Sequence, residues 1–270
     1  MKSVRDSLAR WLPKPAFDLL RVARHPRKYA TIVAGPLTYN FDGMATRQSS
    51  EFMQDARFIR AYDAGFATGS WTHHIYWRAY VNCWAAECAS RLAGDFVECG
   101  VYKGGYARMI VDYVDFERLG KRYWLVDTYE GFAEDQLSMA ERAAMGGGTG
   151  LYDSRGHYPD AYAQVQATFR AFPSVQAVKG AVPGVLPQIA ASRIAYLSLD
   201  MNNAKPERLA IEFLWDRLVP GALVVLDDYG FMGHGEQKIA LDEFAGSRTV
   251  PILALPTGQG LMVKAGDRLS

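Results

Sequence analysis

The sequence predicts an α/β fold: a mostly parallel seven-stranded sheet with helices on both faces, behind an N-terminal helical extension. Three observations carry this. Short apolar runs recur from residue 95 onward. Longer helical stretches separate most of them, and alternating strand and helix means a parallel sheet covered by crossover helices. Four acids, Glu98, Asp127, Asp200 and Asp227, stand at or beside the carboxyl ends of those runs. Ligands of open α/β sheets bind at those ends.

The chain divides into an extension, 1–49, and a main domain, 50–270. The main domain divides into a helical cap, 50–93, and an α/β core, 94–270. Residues 1–30 hold eight Lys and Arg against two Asp, a local net of +6 in a chain of net +1. Pro13 and Pro15 interrupt any helix there. The arm reads as a solvated helix packed on the domain or on a second subunit, which suggests a homodimer. The alternative is an interfacial helix seeking anionic lipid, hence peripheral membrane contact. Within the cap, "YWRAYVNCWAAECASRLAG" (76–94) has a long apolar face and a glycine stop.

Strands follow at 95–99, 122–127, 175–179, 194–200 and 222–227, with helices near 103–115, 160–172, 206–218 and 235–245. Two more strand-like runs, 249–254 and 260–264, close the sheet. "GGGTG" at 146–150 marks a flexible loop. The polar insert 132–160 has the length of a lid.

Composition excludes several classes. Near-neutral net charge offers no global attraction for nucleic acid. Cys83, Cys88 and Cys99 form no zinc pattern and are too few for a disulfide framework. A reducing cytoplasm is the expected location. No apolar run approaches the roughly 18 residues of a membrane span, and the N-terminus lacks signal-peptide features.

"VECGVYKGG" (97–105) follows the first core strand and opens a helix. Gly100, Gly104 and Gly105 let the backbone approach a ligand closely. The spacing is G-x-x-x-G-G, not the G-x-G-x-x-G of dinucleotide sites. Glu98 would repel a pyrophosphate there, which disfavours NAD. A ligand with a cationic amino group, such as S-adenosylmethionine, suits it better, and a plain strand-to-helix turn also fits. Asp127 ends the second core strand, where an acid accepts ribose hydroxyls or simply serves the turn. In "VVLDDYG" (224–230) two adjacent carboxylates, Asp227 and Asp228, raise each other's pKa unless something compensates. A metal ion is one candidate.

"GDFVECGVYKGG", "YWLVDTYEGF", "VKGAVPGVLP", "LSLD" and "PGALVVLDDYG" occur in this order. Over about residues 70–245 the chain resembles the macrocin O-methyltransferase family. The resemblance implies a Rossmann-like, class I S-adenosylmethionine-dependent methyltransferase acting on sugar hydroxyls. By carry-over, Glu98, Gly100, Tyr102, Gly104 and Gly105 line the methionine end of the cofactor. Asp127 holds the ribose, and Gly180, Ala181 and Val182 lie along the adenine. Asp200, Asp227 and Asp228 bind Mg²⁺ (or Mn²⁺), and the ion holds two vicinal hydroxyls of a glycan or small-molecule acceptor. A hard cation with oxygen ligands suits three acids at neighbouring strand ends. Otherwise Asp228 caps the next helix and Asp227 pairs with a lysine. Acceptors other than sugars, such as phenolic, catechol-like or lipid-linked hydroxyls, fit the same chemistry. A noncatalytic cofactor-binding homologue is a further reading.

One position departs from the family. Its strand-four motif is Asp-x-Asp, and the second Asp is the proposed general base. Here the sequence reads "DMNNAKPE", so Asp200 is present but the base position is Asn202. An amide accepts no proton usefully near neutral pH. Among the catalytic candidates His157, on the insert, ranks first as replacement base and His234 second. Metal activation alone is the other route, and Asn202 could still bond the substrate or the metal. Tyr76, Trp77, Tyr80 and Trp84 could stack on a sugar, though their helical spacing reads more simply as core. Lys205 and Glu207 read as solvated surface residues.

Overall fold

The computed structural model describes residues 36–146, 160–231 and 233–266, apart from the side chains of Glu134 and 143–146. The basic arm 1–30 and His157 therefore lie outside the described residues. The chain forms two compact units. The described part of the first is 36–40 with 45–49, in which the Thr38 amide and hydroxyl both donate to the Thr46 carbonyl, at 3.0 and 3.1 Å. The second unit is 41–44 with 50–266. Two short strands, β1 (Tyr39–Phe41) and β2 (Met44–Thr46), flank the Asp42–Gly43 turn.

The cap consists of a 3₁₀ turn, Glu51–Gln54, then α1 (Ala56–Phe66) and α2 (Tyr76–Ser90). Asp55 starts α1 by accepting the Phe58 amide at 2.9 Å, the usual service of an acidic N-cap. α1 packs on α3 (Gly105–Tyr113), and α2 packs on β6 (Ile194–Leu199) and β7 (Leu218–Leu226). Phe58, Tyr62, Ile75 and Ala79 of the cap share an apolar cluster with Tyr106 and Met109 of α3. The cap is thus fastened by burial to the helix that follows the glycine loop.

The remaining strands are β3 (Asp95–Cys99), β4 (Tyr123–Asp127), β5 (Val175–Lys179), β8 (Leu253–Ala254) and β9 (Gly260–Val263). They join β6 and β7 in one sheet of order β5-β4-β3-β6-β7-β9-β8. β3 to β7 are parallel, and β9 runs antiparallel to both neighbours. The strand order reverses between β3 and β6. Right-handed crossovers on the two sides of that point place helices on opposite faces and open a crevice there. Register levels the crevice: Cys99 lies opposite Val126 on one side and Leu199 on the other.

The remaining helices are α4 (Met139–Gly146), α5 (Tyr162–Thr168), α6 (Ala204–Leu214) and α7 (Gly235–Arg248). Several boundaries differ from the sequence reading. α6 ends at Leu214 and β7 already begins at Leu218, because the residue before Pro220 is biased to extended backbone. β8 is cut to two residues behind Pro251. The insert is not a plain loop, since it carries α4. "SMAE" starts that helix as a capping box: Ser138 Oγ accepts the Glu141 amide at 3.0 Å, and Glu141 Oε2 accepts the Ser138 amide at 2.8 Å. Glu141 Oε1 also takes the Ala204 amide at 2.7 Å, tying the insert to the start of α6.

Candidate active site

A cavity of about 290 Å³ opens at the switch point. The glycine loop forms one wall. Gly100 has φ +88°, and a Cβ there would stand 2.0 Å from the Asp200 carbonyl oxygen. No side chain fits where β3 and β6 deliver their ends together. Gly105 opens α3 beneath the cap, and its amide donates to Ser70 Oγ at 3.0 Å. Gly104 is not on the cavity wall; a Cβ there would meet the Phe169 ring at 2.8 Å. Gly100, Tyr102 and Gly105 are on the wall, as are Gly180, Ala181 and Val182 across from them.

Asp127 also reaches the cavity, but its oxygens are engaged by protein donors. Oδ2 accepts the amides of Val101 at 2.6 Å and Tyr102 at 2.8 Å. Oδ1 accepts the Tyr129 amide at 2.7 Å and the Thr128 hydroxyl at 3.2 Å. Two carboxylate oxygens offer about four acceptor positions; three backbone amides fill three of them, and the single Thr128 proton is shared with the Gly131 carbonyl at 2.5 Å, so this carboxylate holds the glycine loop to β4 and keeps room for one further donor. Glu98 sits deeper, fully buried, and accepts Tyr123 Oη at 2.7 Å. Burial, with the Asp127 charge adding to it, pushes the Glu98 carboxyl up to about 8 despite that hydrogen bond.

The opposite wall is acidic. Asp200, Asp227 and Asp228 bring ligand oxygens within 4.8 Å of one another. Asp227, 1% exposed, accepts Tyr106 Oη at 3.1 Å and Gln259 Nε2 at 2.8 Å on Oδ1, while Arg78 Nη2 donates to Oδ2. Asp228, 3% exposed, has no hydrogen-bond donor on either oxygen among the described residues. The Arg78 guanidinium stands nearby, Nη2 at 3.5 Å, and His234 Nδ1 lies at 3.9 Å. A buried carboxylate left without donors costs free energy unless a cation completes it. Three carboxylates, one with both oxygens open, match the donor set of a hard divalent ion. Neither alternative role holds: α7 begins seven residues beyond Asp228, and Asp227 pairs with an arginine, not a lysine.

Asn202 occupies left-handed backbone, φ +59°, which Asn tolerates. Its amide donates to Asp200 Oδ1 at 3.2 Å and so braces a carboxylate instead of receiving a proton. Burial, then the Asp228 charge, holds the Asp200 carboxyl well above the usual carboxylate range, and Arg78 offsets part of this. His234 is buried, its Nδ1 against Gln237 Oε1, and it is not on the cavity wall. His73 is exposed beside Asp42, and His74 lies between the rings of Phe66 and Tyr76.

Glu207 corrects the surface reading. It is 2% exposed, accepts the Met201 amide at 3.0 Å and Gln237 Nε2 at 2.9 Å, and is raised to about 8 by burial and Asp228. The sequence reading also passed over Arg78. The one arginine of Tyr76–Ser90, with Asn82 one turn on along a mostly apolar face, was the available signal. Trp84, grouped with the core aromatics, is 45% exposed.

Residues 44–252 match the family described as Macrocin-O-methyltransferase (TylF). The chain belongs to this family. It is 30% identical over 154 residues to the 8-demethyl-8-(2,3-dimethoxy-alpha-L-rhamnosyl)-tetracenomycin-C 4'-O-methyltransferase of Streptomyces olivaceus, covering 54% of this chain and 57% of that protein. It is 24% identical over 158 residues to the mycinamicin III 3''-O-methyltransferase of Micromonospora griseorubida, covering 55% and 60%. The chain thus spans less than two thirds of the length of either relative. The solved structure of the O-methyltransferase NovP superposes with a TM-score of 0.60 at 18% identity, over 70% of this chain and 80% of that one. With the sheet order above, this gives the chain a class I methyltransferase fold. No helix among its described residues is long and apolar enough to cross a membrane.

Proposed function

We propose that this chain is an S-adenosylmethionine-dependent, divalent-metal-dependent O-methyltransferase acting on a sugar hydroxyl. One observation carries the reading: the glycine loop and the Asp200–Asp227–Asp228 cluster, with its donor-free buried carboxylate, face the same cavity. Family membership and the sugar O-methyltransferase names of two relatives support the acceptor class.

S-adenosylmethionine supplies an electrophilic methyl group, and Mg²⁺ or Mn²⁺ supplies charge that acidifies a coordinated hydroxyl. The chain's residues do the rest. Glu98 presents a carboxylate toward the methionine ammonium. Asp127 holds the Val101 and Tyr102 amides, so the loop keeps one shape around the cofactor. Gly180, Ala181 and Val182 line the cavity and would lie along the adenine. Asp200, Asp227 and Asp228 would hold the cation, and the Asn202 amide braces the Asp200 carboxylate. The acceptor hydroxyl would give up its proton as its oxygen bonds to the methyl carbon and the sulfonium S–C bond breaks, leaving S-adenosylhomocysteine. His157 on the insert is the first candidate to take that proton; His234 stands off the cavity wall, and His73, which lines the cavity, is exposed beside Asp42. A phenolic, catechol-like or lipid-linked hydroxyl is the alternative acceptor, and Asn202 in the base position makes a noncatalytic, cofactor-binding homologue the reading after that. We place the protein in the cytoplasm as a homodimer, with the basic arm available for subunit or anionic-membrane contact.

The test is methyl transfer from labelled S-adenosylmethionine to a panel of rhamnosides and other glycosides, with and without EDTA. Thermal shift with S-adenosylhomocysteine against NAD, each with and without Mg²⁺, separates the cofactor classes. A shift with S-adenosylhomocysteine and no transfer to any glycoside overturns the sugar acceptor and leaves a phenolic, catechol-like or lipid-linked hydroxyl or the binding homologue. Stabilisation by NAD alone overturns all three readings.

A further inference from the structure

We propose that Arg78 is a built-in counter-cation of the acid cluster, with two carboxylate seats, and that it sets the site's affinity for a divalent ion by competing for Asp227. The inference rests on the metal reading of Asp200, Asp227 and Asp228 given above. Arg78 projects from α2 into the cluster with its side chain 12% exposed. Nη2 donates to Asp227 Oδ2 and lies 3.5 Å from Asp228 Oδ1. The Phe231 ring backs the guanidinium, its centroid 5.1 Å away. The helix is held in place from below: Gln259 Nε2 donates to Asp227 and also approaches the Arg78 carbonyl at 3.4 Å.

Counting acceptor positions decides where a cation could enter. Asp227 Oδ1 already takes Tyr106 and Gln259. Only Oδ2 has room, and Arg78 is on it. A divalent ion using all three acids must therefore share that oxygen with a guanidinium or displace it. Two cations a few ångströms apart in a buried site repel strongly. Arg78 has somewhere to go. Nη1 lies 3.9 Å from Asp42 Oδ2, and the Asp42 side chain is only 7% exposed. Asp42 stands at the turn between β1 and β2, so the second seat comes from outside the sheet. The first seat holds the cap helix on the acid end of β7, and the second frees Asp227 for the ion.

The experiment is Mn²⁺ binding to the full chain, read by electron paramagnetic resonance at fixed ionic strength. Removing the competitor with Arg78→Met should tighten the Mn²⁺ Kd at least tenfold. Removing the second seat with Asp42→Asn should weaken it several-fold, and this effect should vanish in an Arg78→Met background. Arg78→Lys, which keeps one charge, should stay near the wild-type Kd. A wild-type or weaker Kd for Arg78→Met overturns the proposal, and so does an Asp42→Asn effect that persists without Arg78. Asp228→Asn separates the two levels of inference. If it abolishes binding while Arg78→Met changes nothing, only the competition is wrong. If wild type binds no Mn²⁺ although S-adenosylhomocysteine still binds, the metal reading falls and takes this proposal with it. Should Arg78→Met not fold in EDTA, its unfolding temperature is followed against Mg²⁺. Rescue by Mg²⁺ but not by matched NaCl supports competition, and no rescue overturns it.

Discussion

The guanidinium of Arg78, on the second cap helix, donates to the carboxylate of Asp227, 149 positions later at the end of β7. The pair joins the cap to the acidic wall of the cavity. It is also partly why Asp227 is satisfied while its neighbour Asp228 is not. Asp228 carries a buried charge with nothing donating to it among the described residues. That asymmetry is the source of the first prediction.

Asp228→Asn should raise stability in EDTA and abolish stabilisation by Mg²⁺. The amide keeps the shape and removes a buried carboxylate that no group donates to among the described residues, its nearest guanidinium nitrogen 3.5 Å away, a gain on the order of 1–3 kcal/mol. For a chain of this size that is roughly 2–4 °C per kcal/mol. Thermal denaturation with and without Mg²⁺ checks both signs. A lower melting temperature in EDTA would show that Asp228 is already compensated without metal.

Glu98 should give the fold a pH slope. Its carboxyl is raised from 4.5 to about 8 in the folded chain. Between those values the folded state holds more protons than the unfolded state, so stability falls as pH rises through the window. The loss is at most about 1.4 kcal/mol per pH unit for one group. Glu207, also raised to about 8, adds a slope of the same sign. Glu98→Gln should flatten the fall without removing it. Denaturant melts at pH 5, 6.5 and 8 measure the slope, and an unchanged slope in the variant refutes the assignment. Pairing with the cofactor's ammonium favours ionised Glu98, so S-adenosylhomocysteine should bind more tightly as pH rises from 6 to 8.

Asp127→Ala should act on the apo-protein as well as on cofactor affinity. It strands the amides of Val101, Tyr102 and Tyr129. Leaving buried donors unpaired costs about 1–3 kcal/mol each where water does not replace the carboxylate. The apo melting temperature should drop by several degrees and S-adenosylhomocysteine should bind more weakly. A variant that loses affinity with its apo stability intact would point instead to direct ribose contact.

His157→Ala should lower kcat by about 10²–10⁴ and leave S-adenosylhomocysteine affinity alone, as loss of a general base does. The pH–rate profile should lose its limb near the histidine pKa. Wild-type kcat in the variant excludes His157 as base and leaves His234 or metal activation alone.

Much of the fold was legible in the residues themselves. Strand and helix periods are local properties, so the order of elements, the glycine loop after β3 and the acids at strand ends could all be read along the chain. The "SMAE" capping box was equally local and marks α4, although the insert reads at first as a loop. What the linear pattern did not contain was which charge meets which. Glu207 looks like a surface acid at the start of a helix until Gln237 and the Met201 amide close over it. Asp127 looks like a ribose acceptor alone until packing shows that the same carboxylate also holds the Val101 and Tyr102 amides. Arg78, Tyr106 and Gln259 come from three distant segments and meet only because α2 and α3 pack over the sheet ends. Sequence periodicity sets which face of an element is buried, because burial of apolar surface is decided residue by residue. The partner of a buried charge is decided by packing, because its solvation is replaced only by groups that the finished tertiary structure brings within reach.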